Sequence, residues 1–291
     1  MSWGSLKEIE NYCNENGCEF WQAILEGDVR ERETTAEASR RKMAVAWEAM
    51  VSASDDYNPL NFSASGLVGD DGERMRLHTE SGRGLLDGFA GEVMTEALKM
   101  GECNACMKRI VAAPTAGACG VLPSVLIPMN RRGVSKDDIL NAMYVAAGIG
   151  QVIAERAYIA GASGGCQAEI GTAAAMTAGA LVYLKGGDAE MIVNSVAMAL
   201  KNMMGLVCDP VAGLVEVPCV KRNGAGAMTA LSSADMALAG IRSRIPADEV
   251  IDAMKEVGDK MHPDFKETAR GGVANTKTGI RLKEEILGTE M

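Results

Sequence analysis

The chain has 291 residues, enough for one large domain or two modest ones. With 47% hydrophobic and 23% charged residues it supports a sizeable packed core, which argues against extended disorder. A formal net charge of −10 argues against a nucleic-acid partner but leaves room for small anions, which need only a local amide-lined pocket. The opening MSWGSLKEIENYCNENG has no basic segment followed by an apolar run. The longest clean apolar stretch, Ile170 to Leu184, falls short of the roughly 18 residues read as a membrane span. A soluble cytoplasmic protein without membrane contact is therefore expected.

No alternating strand pattern of useful length occurs, and the periodic segments read as helices. In chain order the first is Thr34 to Ser52, rich in helix formers. Asn58 to Arg83, rich in Gly, Asp and Ser, reads as a long irregular loop, and Ala112 to Gly120 (AAPTAGACG) as a shorter one. Ser135 to Ala160 opens with an N-cap serine and an acidic first turn. After the loop Gly161 to Gly165 (GASGG), Gln167 to Leu184 is so rich in Ala and Met that it should be buried on most sides. Asp188 to Lys201 is amphipathic, and Cys208 to Asn223 (CDPVAGLVEVPCVKRN) is a loop. Ala225 to Ile241 is a second Ala/Met-rich helix. Pro246 to Lys260 is amphipathic, with Asp248 and Glu249 in its first turn. Gly271 to Gly279 (GGVANTKTG) is the last loop. Scarce aromatics (4%) with 33 Gly and 19 Met predict tight helix-on-helix packing. The fold class expected is mostly α, in one domain with a less regular part over residues 1–90 and a core over 91–291.

Eight cysteines are present: Cys13, Cys18, Cys103, Cys106, Cys119, Cys166, Cys208 and Cys219. In a long cytosolic chain metal binding or burial is a better reading than disulfides. Cys166 follows GASGG and precedes a predicted helix, whose free N–H groups favour a thiolate. The spacing of Cys166, Cys208 and Cys219 matches neither a ferredoxin run nor a zinc ribbon, so spacing alone favours buried structural cysteines over ligands. Cys103 and Cys106 form a C-x-x-C without a second copy and read as structural. Cys13 and Cys18 read as incidental, and Cys119 as pocket lining. The loop AAPTAGACG has the look of an anion cradle, with exposed N–H groups and the Thr115 hydroxyl, set against the reading of a plain turn after Pro114.

Three long strings change this weighting: APTAGACGVLPSVL (Ala113 to Leu126), GASGGCQAEIGTAAAMTAGAL (Gly161 to Leu181) and KNMMGLVCDPVAGLVEVPCVKRNGAGAMTALSSADMALAG (Lys201 to Gly240). With the segment ETARGGVANTKTG (Glu267 to Gly279), they resemble the alpha chain of the iron–sulfur L-serine dehydratases. The likeness is dense from about Met94 to Gly279. It implies a lyase that converts L-serine to pyruvate and ammonia in amino-acid catabolism, feeding gluconeogenesis. It also implies a helical domain whose loops converge on a [4Fe–4S] cluster held by Cys166, Cys208 and Cys219. Three thiolates leave one iron open, a Lewis acid for the serine hydroxyl. The likeness further implies that Thr115, Gly117 and Ala118 bind the substrate carboxylate, and that Ser63 to Asp70 (SASGLVGD) lies near the site.

The alpha proton needs a base. His78 and His262, the only two histidines, read as solvated or structural. A Ser-Ser-His-Thr element carried by the family's beta chain is missing here, so the base is left unassigned, with the beta chain of a hetero-oligomer as its expected source. An exposed apolar patch near the site is expected where that partner docks. Some single-chain relatives end in a cysteine that caps the open iron; this sequence ends in EEILGTEM, so self-capping is not expected. Three rival readings stay open: a pyridoxal-phosphate dehydratase on an α/β fold, a non-enzymatic iron–sulfur sensor or scaffold, and a cluster lyase acting on another amino acid such as L-threonine or L-cysteine.

Overall fold

The computed structural model describes residues 3–288; the last three residues of EEILGTEM lie outside them. Thirteen helices carry these described residues: α1 (Leu6–Asn16), α2 (Phe20–Glu31), α3 (Ala36–Asp55), α4 (Asp71–Glu80), α5 (Gly88–Ala105), α6 (Val121–Arg131), α7 (Lys136–Arg156), α8 (Gly161–Gly164), α9 (Cys166–Leu184), α10 (Ala189–Met203), α11 (Cys219–Leu238), α12 (Ala247–Lys260) and α13 (Lys277–Leu287). No strand occurs among them. The one β-type pairing is an isolated parallel bridge between Cys208 and Lys266.

Several helices begin where local chemistry says they should. Thr35 accepts from Ala38 N, Ser135 from Asp138 N and Asp188 from Met191 N, each satisfying a donor that the first turn leaves free. Asp248 does something different from the expected first-turn role. Its carboxylate accepts from Leu6 N (2.9 Å) and Lys7 N (3.0 Å), so α12 caps α1 across the fold.

α9 is the axle. It packs against α6, α7, α10 and α11, and between Cys166 and Val182 every residue except Glu169 is buried. Small residues allow this close approach. A Cβ on Gly179 would meet Ile149 Cδ1 of α7 at 2.3 Å, and one on Gly226 of α11 would meet Ile170 Cγ2 of α9 at 2.8 Å. Gly179→Val is therefore expected to destabilise the fold by about 1–3 kcal/mol through overpacking. Thermal unfolding reads this; an unchanged midpoint would show that the α7–α9 spacing is not fixed.

Three expectations need correction. Asn58 to Arg83 is not one irregular loop: α4 lies within it. Asp70 precedes α4 with φ +60° and makes no side-chain cap; instead Glu102 of α5 accepts from Asp71 N (2.6 Å) and Gly72 N (3.1 Å). The loop from Cys208 stops at Pro218, because α11 begins at Cys219 rather than near Ala225. GASGG contains the single turn α8.

Candidate active site and metal centre

The loops expected to converge do so around the N-terminus of α9. Cys166 is its first residue, and Cys219 is the first residue of the neighbouring α11, so both thiols sit at the positive ends of helices. Cys208 lies on the connection between α10 and α11. Its main chain is fixed by Cys208 N to Phe265 O and Glu267 N to Cys208 O, both 2.8 Å. All three cysteines are buried.

Cys166, Glu169 and Cys208 offer ligand atoms within 4.8 Å of one another, a group able to hold a metal. Cys219 stands outside that tight group, near enough for the charges of Cys166 and Glu169 to act on its thiol. Burial pushes the Cys219 thiol up to about 12, and those two charges add to the effect. Cys166 behaves oppositely. A hydrogen bond from Cys208 and the Arg222 charge hold its thiol below the ordinary value, against the effect of burial. Cys208 is raised in turn, first by giving that hydrogen bond and then by burial. Arg222 donates to Cys166 Sγ (3.4 Å), Val207 O (2.9 Å) and Asp209 Oδ1 (2.8 Å). The other oxygen of Asp209 accepts from Val273 N (2.7 Å), which brings the 271–279 segment to the site. Gly272, at φ +60°, permits this: a Cβ there would fall 2.1 Å from Asp209 Oδ2.

The AAPTAGACG loop forms the opposite wall. Thr115 donates its hydroxyl to Glu169 Oε1, and Ala116–Ala118 makes one 3-10 turn. Asn223 of α11 pins this loop to the helix that begins at Cys219. Its amide donates to Gly117 O (2.9 Å) and Cys219 O (3.1 Å), and its carbonyl accepts from Gly120 N (2.8 Å). Gly117 approaches Glu169 too closely for a side chain, with a Cβ at 2.6 Å from Oε1. The 63–70 loop reaches the same region from outside. Ser63 (2.8 Å) and Ser65 both donate to Glu216 on the Cys208–Pro218 connection.

The remaining cysteines are structural. Cys103, Cys106 and Cys119 point their thiols at the carbonyls of Ala53, Asn61 and Met100. Cys119 thus faces α5 rather than lining the pocket, a correction to the expectation: its fully buried thiol takes the nearest main-chain acceptor. Cys13 is buried, and its thiol is pushed up to about 12 by burial. His78 is exposed; His262 is exposed and caps a turn by accepting from Asp264 N.

Sequence reasoning passed over Glu169, Asp209, Arg222 and Asn223. The signal becomes visible only once α11 is known to begin at Cys219: an arginine in the first turn of a helix opposes the dipole and calls for a local anion. Here that anion is the pair Asp209 and Cys166.

A comparison with known families adds the decisive match. Residues 15–274 fit the family model described as serine dehydratase alpha chain. The chain belongs to the serine dehydratase alpha-chain family. Among relatives, it is 39% identical over 285 residues to the L-serine dehydratase alpha chain of Peptoniphilus asaccharolyticus, covering 97% of this chain and 98% of that one. A probable L-serine dehydratase alpha chain of Bacillus subtilis (strain 168) is 46% identical over 227 residues, 78% of this chain and 76% of that one. The L-serine dehydratase of Streptomyces coelicolor is 42% identical over 185 residues; the match covers 61% of this chain but only 40% of that longer protein. Among the described residues of this serine dehydratase alpha-chain family member, no helix is long and apolar enough to cross a membrane.

The donor set fits the iron–sulfur group that the family likeness implies. Two buried cysteines, Cys166 and Cys208, stand together with Glu169, and a third buried cysteine, Cys219, opens the neighbouring α11. A guanidinium stands beside them to compensate negative charge, and the first residues of two helices carry two of the thiols. By contrast, the structural cysteines outside the site give their thiols to carbonyls.

Proposed function

We propose that this chain is the catalytic alpha chain of an L-serine dehydratase, a lyase that forms pyruvate and ammonia, with Cys166, Cys208 and Cys219 as three ligands of a [4Fe–4S] cluster. The observation that carries the reading is the meeting of buried Cys166 and Cys208 with Glu169 beside Arg222, with buried Cys219 at the start of the adjoining helix. When bound, a cluster with three thiolates leaves one iron free to act as a Lewis acid on the substrate hydroxyl. The residues of this chain do the rest of the binding. Thr115, Gly117 and Ala118 hold the substrate carboxylate. The opening N–H groups of the 116–118 turn are not used by the turn itself, and Asn223 keeps that turn in register with α11. After the hydrogen bond from Cys208, the Arg222 charge helps to lower the proton affinity of the Cys166 thiol. Loss of the Cα proton and of the Cβ hydroxyl gives 2-aminoacrylate and water. Aminoacrylate tautomerises to the imine, which hydrolyses to pyruvate and ammonia without further demands on the protein.

The whole chain acts as one catalytic unit, with residues 91–291 carrying cluster and substrate. The catalytic base comes from a beta chain, because neither histidine of this chain contacts the thiols. Exposed Val273, on the segment that reaches Asp209, and exposed Ile280 and Leu287 of the following α13 supply apolar surface for that partner. The setting is cytoplasmic, and pyruvate production serves amino-acid catabolism and gluconeogenesis. The absence of strands among the described residues removes the α/β scaffold on which the pyridoxal-phosphate reading depended.

The test is anaerobic reconstitution with ferrous iron and sulfide, alone and with the beta chain. Iron per chain and pyruvate release are measured from L-serine, L-threonine and L-cysteine in parallel. Iron-dependent turnover of L-serine in the complex is expected. Full iron with no turnover of any of the three would favour a sensor or scaffold. Full turnover by the isolated chain would return the base to this sequence.

A further inference from the structure

One acidic side chain in the site lies outside the proposed ligand set of three cysteines. Glu169 projects from the first turn of α9 into the place where the loops meet. Its Oε1 accepts from the Thr115 hydroxyl, and its Oε2 lies 3.9 Å from Cys166 Sγ. Glycines close around it from two sides. A Cβ on Gly117 would stand 2.6 Å from Oε1, and one on Gly161 would stand 3.5 Å from Oε2 and 2.7 Å from Cys208 Sγ. The carboxylate is therefore wedged between the 115–118 turn and the thiols.

Its surroundings do not neutralise it. Glu169 forms no ion pair among the described residues. The one guanidinium at the thiols, Arg222, is committed to Asp209, Cys166 and Val207 O. A largely enclosed carboxylate held by one hydroxyl and one long thiol contact, with no ion pair, is incompletely compensated, and a cation brought beside it gains a strong, charge-assisted contact. The other acids nearby are differently placed. Asp209 is already paired, and Glu267 is exposed.

The substrate supplies such a cation. In an α-amino acid the carboxylate and the ammonium leave the same carbon. A serine whose carboxylate lies on the 115–118 turn and whose hydroxyl points to the thiols must place its Cα between them, beside Glu169. We propose that Glu169 receives the α-ammonium group of the substrate and so makes the site selective for 2-amino acids over 2-hydroxy acids of the same shape. The inference rests on the serine dehydratase reading and extends it to the residue that recognises the amine.

The experiment compares wild type, Glu169→Gln and Glu169→Asp in the reconstituted complex. L-serine is the amine-bearing probe and glycerate the probe with a hydroxyl in its place. Iron content, kcat, KM, the inhibition constant of glycerate and calorimetric binding of both compounds are measured. For Glu169→Gln the expected result is unchanged iron and a KM for L-serine raised at least about tenfold, the loss expected when a charge-assisted hydrogen bond becomes a neutral one. The kcat should move far less, and glycerate should bind as well as before or better. Glu169→Asp should recover part of the serine affinity. Loss of iron in both variants would make Glu169 a metal ligand and overturn the assignment. So would a fall in kcat at constant KM, or an equal weakening of serine and glycerate. If iron-loaded wild type neither binds nor converts L-serine, the dehydratase reading itself falls. If it does both and Glu169→Gln binds serine equally well, only the ammonium assignment falls.

Discussion

Cys208→Ala is expected to lose both the brown iron–sulfur colour and essentially all serine turnover. Cys208 is the thiol on the loop, and its partner Cys166 owes its lowered proton affinity first to the hydrogen bond from Cys208. Removing it deprives the centre of one of its three proposed ligands and of the hydrogen bond that lowers the proton affinity of Cys166. Cys166→Ala and Cys219→Ala should give the same result, because a cluster left with two protein ligands is not retained. Cys13→Ala is the control. Its thiol is buried between α1 and its neighbours, away from Arg222 and Glu169, so colour and turnover should stay nearly intact. In the wild-type complex activity should decay in air, since an iron with a non-thiolate position is readily lost, and return with ferrous iron and reductant. A Cys208→Ala enzyme with normal activity and no iron would refute the mechanism.

Arg222→Met should be among the most destabilising single changes at the site. Arg222 and Asp209 form a pair whose side chains are 15% and 3% exposed. Deleting the cation leaves a buried carboxylate with one remaining donor, Val273 N, and breaking such a pair costs about 3–5 kcal/mol. The double variant Arg222→Met with Asp209→Asn should recover much of that stability, because a neutral amide still accepts from Val273 N. It should not restore iron affinity, since the cation beside Cys166 is still missing. Denaturant unfolding and iron titration separate the two effects. Equal recovery of both would show that Arg222 acts only through Asp209.

What could be read from the sequence follows the range of the interactions concerned. The starts of α3, α7 and α10 were legible because Thr35, Ser135 and Asp188 cap donors three residues ahead. The burial of α9 was legible from its Ala, Gly and Met content. α4 was not, because its first N–H groups are satisfied by Glu102, some thirty residues away in sequence and on another helix. The start of α11 was misplaced because Lys221, Arg222 and Asn223 look like loop residues. In the fold Arg222 and Asn223 turn inward, one to a thiolate and a carboxylate, the other to the main chain of a separate loop. The cysteines of the candidate centre stood out only through the family resemblance, as their spacing matches neither a ferredoxin run nor a zinc ribbon. Glu169 sat in plain view within CQAE. Its position shows only when the turn at Thr115 is folded against it.

The unequal anchoring of the thiols has a consequence for how the centre opens. Cys166 belongs to α9, whose amides lie in the middle of the packed core and should exchange with deuterium only when the whole domain unfolds. Cys208 is held by two main-chain bonds to the 265–267 segment and by the Asp209 link to Val273. That strip can detach as a small local fluctuation while the helices stay folded, and its amides should exchange orders of magnitude faster than those of α9. If the amides exchange in that order, the Cys208 side is expected to be where the centre opens to metal and to oxidants, with the α9 side as its fixed jamb.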